Sequence, residues 1–259
     1  MKTSELEARL RPYETASDRC VPPGFYMVAR LDGRGFSRLT RVQGAEVDKP
    51  YDVRVRDAMI TTTEHLIHAG FQVVYGYTQS DEISLLFHRD DRSFARKLRK
   101  WISVLAGEAS ARFSLLIGEL AAFDCRISEL PDRRRVIDYF KWRHEDAARN
   151  CLLNHCAWSL RADGASADEA TRRLHGLSAA DQHELLYRHR LNFADLPAWQ
   201  RRGVGLLWDT LEQPGVDPRT GAATTVTRRR LRVELELPMK EAYDGFIGGL
   251  VDRAGDADR

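Results

Sequence analysis

The chain reads as an α+β protein: a ferredoxin-like β-α-β-β-α-β sheet followed by a mostly helical C-terminal region. Three observations predict this. Four short apolar runs, Phe25 to Leu31, Phe71 to Tyr77, Ile83 to Phe87 and Ala121 to Ser128, read as strands. Helical stretches separate the first strand from the second and the third from the fourth, which is the order of that split arrangement. Past Pro131 the chain turns mostly helical. The expected division is therefore a sheet domain over 5–131 and a helical region over 132–259 that carries a β-hairpin.

Each element has a local reason. Residues 4–13 read as a short helix that stops near Pro12, since proline lacks an N–H and crowds the preceding turn. Pro22-Pro23-Gly24 is a turn. Phe25 to Leu31 is almost continuously apolar, which places it centrally in a sheet. A loop follows at Gly33–Gly35. Pro50 suits the first turn of a helix that runs to about Ala69, with Val53, Ala58, Met59, Thr63, Leu66 and Ile67 on its apolar faces and Gly70 as its stop. The short connection Gln79-Ser80-Asp81 makes the next two strands a hairpin. Phe94 to about Gly118 is a long amphipathic helix. Asp132 to Leu160, Ala167 to His175 and Ala179 to His189 read as helices. Gly203 to Leu211 and Thr224 to Leu237 read as strands around a turn-rich stretch ending at Pro218. Pro238 ends the last strand, a helix follows to Leu250, and the polar tail from Asp252 is expected to fray.

Composition narrows the class. With 43% hydrophobic and 30% charged residues the chain suits a soluble globular protein. The 40 Lys and Arg against 38 Asp and Glu leave only +2, so any nucleic-acid surface must come from local basic clusters. No apolar stretch is long enough to span a bilayer, and Met1 to Glu7 lacks a signal-peptide core, so the expected location is the cytoplasm. Cys20, Cys125, Cys151 and Cys156 form no CxxC pair and are expected to stay reduced. Cys151, His155 and Cys156 lie in an apolar helical stretch with no fourth ligand nearby, so packing is a better reading than zinc. His65 and His68 share a helix face and read as packing or surface residues.

Two acidic segments carry the chemistry. Asp32 follows the first strand within Arg30-Leu31-Asp32-Gly33-Arg34-Gly35-Phe36; Asp81 and Glu82 sit at the central hairpin in Ser80-Asp81-Glu82. Alone, each Asp reads as a turn residue, a common structural role. The β-α-β-β-α-β order puts their strands side by side, and structural caps have no reason to converge. Two carboxylates beside a Gly-containing loop suit a magnesium–nucleotide site, and two cations bridged by them would lie about 3.5–4 Å apart. Gly33 and Gly35 permit close backbone approach to phosphate. Lys49, before the Pro50 helix start, can reach phosphates held at a helix N-terminus. A basic cluster, Arg89, Arg92, Arg96, Lys97, Arg99 and Lys100, opens the long helix just after the hairpin. It reads either as a solvated face or as a holder of triphosphate or RNA phosphates. Arg133-Arg134-Arg135 and Arg228-Arg229-Arg230 are further basic patches.

These residues resemble a known family. Arg30 to Phe36 with Ser80-Asp81-Glu82 is similar to the tRNA(His) guanylyltransferases and their bacterial and archaeal relatives, the reverse (3′-to-5′) tRNA polymerases. Phe123-Asp124-Cys125-Arg126, Lys141-Trp142-Arg143 with Asn154, Leu174 to Asp181, and Arg201-Arg202-Gly203 before Leu206-Leu207-Trp208 extend the likeness over roughly residues 5 to 210. The resemblance implies a polymerase-palm-like catalytic sheet and nucleotide addition at the 5′ end of tRNA, with ATP or GTP activating a 5′-monophosphate and GTP or other NTPs added. It implies that Asp32, the Gly33 carbonyl and Asp81 hold two Mg2+ ions, supported by Glu82. It implies that Gly33, Arg34, Gly35 and Phe36, with Lys49 and Ser80, hold a triphosphate, and that Arg30, Lys97, Lys100, Arg126 and Asn154 lie near the nucleotides or the tRNA end. A homotetramer is the assembly it suggests.

The sequence departs from the eukaryotic pattern in two places. Ala148-Arg149-Asn150-Cys151 stands where those enzymes carry His-Ile-Asn-Asn, and Gln182 stands where the family has Lys. This resembles the bacterial-type subgroup and favours templated repair of 5′-truncated tRNA over untemplated guanylylation of tRNA(His). Two alternatives remain. A nucleotide or diguanylate cyclase would use the same carboxylates but carry its own base-recognition and dimer residues, whereas the region past Pro131 resembles the tRNA family. A non-catalytic tRNA-binding protein would not need Asp32, Asp81 and Glu82 intact.

Overall fold

Alternation along the first strand sets the architecture. In the computed structural model, which describes residues 3–36, 50–216 and 219–256, β1 (Tyr26–Arg34) is buried on both faces. Met27, Ala29 and Leu31 enter one core, with α2 (Val53–Ile67) and α3 (Leu98–Ile117). Val28 enters a second core on the opposite face, with α4 (Arg133–Ala162) and α8 (Glu241–Asp256). Side chains alternate along a strand, so Arg30 and Asp32 share the α4 face with Val28.

Around β1 lie β2 (Val73–Gln79), β3 (Glu82–Phe87) and β4 (Ala122–Leu130), in the antiparallel order β4-β1-β3-β2. This is the predicted β-α-β-β-α-β sheet. β5 (Val204–Val216) then pairs with β2 through Val204–Leu207, and β6 (Ala223–Glu234) pairs with β5, so the sheet has six strands. Beyond Trp208 the β5–β6 ribbon runs past the edge of β2. Between these strands and α4 lie α5 (Ala167–Leu174), α6 (Ala179–Arg188) and α7 (Ala198–Arg202). The far half of α4 makes a third small core with α5 and α6 through Leu152, Cys156, Leu160, Ala170, Leu174 and Leu186.

Several local expectations change. The first helix, α1 (Thr3–Thr15), does not stop at Pro12. It runs on through Pro12, and Thr15 Oγ1 donates to the Arg11 carbonyl at 2.9 Å; none of its side chains is buried. The second helix starts at Val53, with Asp52 as its cap. Helix α3 begins at Leu98 rather than Phe94, because Phe94, Ala95 and Arg96 take left-handed φ values of 50°, 52° and 57°. The polar tail is helical through Asp256, tied back where Asp252 accepts from Arg133 at 2.6 and 2.7 Å.

Candidate active site

The two acidic segments meet at one end of the sheet. Asp32 lies opposite Glu82 on β3 and opposite Asp124 on β4, so three carboxylates form a row across β4, β1 and β3 on the α4 face. Beyond them the hairpin closes in two residues, since Gln79 pairs with Glu82. Ser80 takes φ +50° there, a left-handed position that favours glycine. The Gly33 N–H donates to the Asp81 carbonyl at 2.9 Å, which ties the end of β1 to the hairpin tip.

Cations divide these carboxylates unequally. Arg30 Nη2 reaches Asp32 Oδ2 at 3.1 Å, and Arg126 Nη2 reaches the same oxygen at 3.4 Å. Glu82 is buried and accepts from Arg143 Nη1 at 2.9 Å, with Arg30 Nε at 3.9 Å. Burial still raises the Glu82 pKa above its ordinary value, against the pull of Arg143 and Arg30. Asp81 has no cation partner among the described residues. Burial raises its pKa, hydrogen bonds from its own backbone and Ser80 oppose the rise, and the charge of Asp32 adds to it.

Mg2+ ordinarily takes one or two carboxylates plus waters and substrate phosphates rather than an all-protein cage. The residues here fit that pattern. No three His, Cys, Asp or Glu side chains among the described residues gather into a cage of their own. What they offer is a desolvated Asp81 carboxylate, without a counter-charge among the described residues, beside Asp32.

The loop differs from its expected form. Gly33 and Arg34 are strand residues, opposite Phe123 and Ala122. The Gly33 N–H is spent on Asp81 and does not face a phosphate. Glycine is required at 33 for another reason: an added Cβ would stand 2.2 Å from the Phe36 ring. That ring is buried against Phe113 and Phe123, at centroid distances of 4.8 and 5.3 Å, so the Phe36 side chain serves the core. Gly35 has φ +76° with open space where a Cβ would go. Lys49 lies outside the described residues. The N-terminus of α2 is taken by Asp52, whose carboxylate accepts from the Arg54 N–H at 2.7 Å, so that helix end does not offer itself to a phosphate.

The basic cluster is at the other end of the sheet. β3 carries the chain away from Asp81, and β1 from Asp32 back to Tyr26 spans six residues, about 20 Å. Arg96 is buried and donates to the Phe25 and Arg89 carbonyls, each at 2.7 Å. Its role is structural, and the expectation that it meets a phosphate is corrected. Lys97 pairs with Asp18 at 3.3 Å, and Arg99 pairs with the same carboxylate. Lys97 and Lys100 therefore do not face the hairpin acids. Asn154 donates to the Tyr51 hydroxyl at 3.3 Å, eleven residues along α4 from Arg143, or about 16 Å. The structure thus brings together Arg30, Asp32, Gly33, Ser80, Asp81, Glu82 and Arg126, and leaves Arg96, Lys97, Lys100 and Asn154 apart.

Two residues were given no role by sequence reasoning. Arg143 is the buried partner of Glu82, and Asp124 stands beside Asp32. A signal for Asp124 existed: Phe123, Cys125 and Ile127 alternate with Asp124 and Arg126, which puts the two charged residues on one strand face. Arg143 lies in the family-like Lys141-Trp142-Arg143 string, but nothing local points to its partner, which lies 61 residues away.

An antiparallel β-α-β-β-α-β sheet with carboxylates at the end of its first strand and at its central hairpin is the frame of a palm-like nucleotidyltransferase. Comparison with known proteins makes the assignment specific. Residues 7–131 match the family model described as tRNAHis guanylyltransferase, and 134–241 match the Thg1 C terminal domain model. The chain belongs to the tRNA(His) guanylyltransferase family of nucleotidyltransferases. It is 29% identical over 215 residues to the probable tRNA(His) guanylyltransferase of Bos taurus, covering 79% of this chain and 71% of that one. It is 29% identical over 178 residues to the tRNA(His) guanylyltransferase of Debaryomyces hansenii, covering 64% and 66%. Among solved structures, a bacterial tRNA(His) guanylyltransferase (Thg1)-like protein in complex with GTP superposes with TM-score 0.73 at 27% identity, and one in complex with ATP with TM-score 0.75 at 26%; each covers 95% of this chain and 99% of the other. No helix among the described residues is long and apolar enough to cross a membrane.

Proposed function

We propose that this protein adds nucleotides in the 3′-to-5′ direction to the 5′ end of tRNA, chiefly as templated repair of 5′-truncated tRNA, with Asp32 and Asp81 at the centre of the chemistry. The observation that carries the reading is the pairing of Asp32 with the hairpin of Asp81 and Glu82 at one end of the family's sheet, where Asp81 has no cation partner among the described residues. The Asp32 and Asp81 carboxylates, with the Gly33 carbonyl, are hard oxygen donors suited to two Mg2+ ions, which when bound would neutralise phosphate charge and lower the pKa of the attacking hydroxyl. Arg30 and Arg126 place guanidinium groups beside Asp32, where a triphosphate or the 5′ end of tRNA would bring negative charge. Glu82 acts by holding Arg30 and Arg143. In the transfer, the 3′-hydroxyl oxygen of the incoming nucleotide bonds to the 5′-phosphorus of the activated end, the hydroxyl proton passes to solvent, and the phosphoanhydride bond breaks, releasing AMP or GMP from a nucleotide-activated end or pyrophosphate from a triphosphate end.

The repair reading is supported by Ala148 and Arg149, which stand where the strict guanylyltransferases have His and Ile. Arg149 pairs with Asp146 at 2.7 Å on α4. Pairing with a template base supplies discrimination, so the protein needs fewer contacts of its own to identify one tRNA. By resemblance we also propose a cytoplasmic homotetramer, which light scattering checks. The test of function incubates the protein with tRNAs lacking their first nucleotide, Mg2+ and each NTP, beside intact tRNA(His). The expected result is extension that follows the opposing base. Preference for intact tRNA(His), with guanosine added whatever lies opposite, would replace repair by guanylylation.

A further inference from the structure

The row of carboxylates is interleaved with guanidinium groups. Arg126 Nη2 lies 3.3 Å from Asp124 Oδ1 and 3.4 Å from Asp32 Oδ2, shared between them. Arg30 Nη2 lies 3.1 Å from Asp32 Oδ2, and its Nε lies 3.9 Å from Glu82 Oε2. The two arginines thus sit on the same oxygen of Asp32, and each already touches a second carboxylate on its own side. They differ in freedom. The Arg30 side chain is 17% exposed, and its neighbour Glu82 is taken by Arg143. The Arg126 side chain is 56% exposed and Asp124 is 65% exposed.

We propose that Arg126 competes with the divalent cation for Asp32, and that Asp124 is the seat onto which Arg126 withdraws when the cation binds. This rests on the metal reading of Asp32 given above. The physical reason is charge. A divalent ion on Asp32 repels a guanidinium held on the same oxygen, and the guanidinium is retained only where another carboxylate receives it. Asp124 meets that need without a new rotamer for the chain to find, since the contact is already made. Asp124 is then a positioning residue for metal entry, acting through Arg126. Arg126, displaced from Asp32 but kept beside it, stays available for phosphate oxygens.

The test measures binding of Mn2+ alone to the full chain, by the electron paramagnetic resonance signal of the free ion. Arg126→Ala should bind Mn2+ about threefold more tightly than wild type, the scale of a solvent-exposed ion pair. Asp124→Asn should bind it more weakly by a similar factor. The decisive comparison is the double variant: in the Arg126→Ala background, Asp124→Asn should change nothing, because its effect runs through Arg126. Both side chains are exposed, so both variants are expected to fold, and a melting curve verifies this. An Asp124→Asn effect of equal size in both backgrounds would mean only a general field and would overturn the proposal. So would unchanged or weaker Mn2+ binding by Arg126→Ala. Asp32→Asn separates the two levels: if it binds Mn2+ as wild type does, the metal reading itself is wrong. If it loses Mn2+ while Arg126→Ala matches wild type, the metal reading stands and only the competition fails.

Discussion

The two ends of the palm-like sheet are both dense in charge, yet they are built in opposite ways. At the Tyr26 end the charges close upon one another. Asp18 receives Lys97 and Arg99, Asp91 accepts the backbone N–H groups of Gln72 and Ser93 at 2.7 Å each, and both terminal nitrogens of Arg96 donate to carbonyls. That closure holds three successive non-glycine residues in left-handed conformation, a strain of about 1–2 kcal/mol each. At the Asp32 end the closure is incomplete. Asp81 is desolvated without a cation partner among the described residues, and Asp32 shares its arginines with neighbouring carboxylates. Charge density is a poor guide to chemistry; charge left open to an incoming ion is a better one.

Substitutions at the two ends should therefore fail differently. The largest effect is expected at the open end. Asp32→Asn and Asp81→Asn should each lower the rate of nucleotide addition by at least about 10²-fold while the protein stays folded, because each removes charge that a metal-assisted transition state requires. Single-turnover rates on a 5′-truncated tRNA check this, and near-normal rates at ordinary Mg2+ would remove the distinction between the ends. Arg96→Ala at the closed end should do the reverse. It strips donors from partly buried carbonyls and releases the strained segment, costing about 3 kcal/mol of stability, while the folded fraction keeps its rate. Denaturant melts beside an active-site-normalised rate separate the two. Lys97→Ala and Lys100→Ala should have the smallest effect, within about 1 kcal/mol of stability and no change in the chemical step. If tRNA affinity nevertheless falls, and falls less steeply with salt, RNA reaches across the sheet to the closed end.

Much of this was legible in the sequence where chemistry and strand signals coincide. Asp32 and Asp81 each follow or join an apolar run punctuated by turn residues, and the order of runs places their strands together. The helical stops at Gly70 and Gly118 were legible for the same local reason, and Gly118 caps α3 in left-handed form at φ 73°. Other features depended on distance through space. The basic cluster follows the hairpin closely in sequence, but the six residues of β3 carry it to the far end of the sheet. The left-handed run at Phe94–Arg96 contains no glycine, so no residue announced it. Arg143 and Glu82 are joined only by the packing of α4 on the sheet. The C-terminal hairpin was visible as two strands, but nothing in their residues named β2 as the strand they would extend.

The open-end claim is tested most directly by melting temperature against pH for wild type and Asp81→Asn, with and without Mg2+. The Asp81 pKa is raised in the folded state, so the folded protein holds the proton more tightly than the unfolded chain. Its contribution to stability is present below the ordinary carboxylate range, about pH 4, and is lost as pH rises through the raised pKa. Without Mg2+, wild type should therefore fall relative to Asp81→Asn across that window and melt below it at neutral pH. Saturating Mg2+ should raise the neutral-pH melting temperature of wild type and of Lys97→Ala, and leave Asp81→Asn where it was. An equal Mg2+ response from wild type and Asp81→Asn would contradict the account.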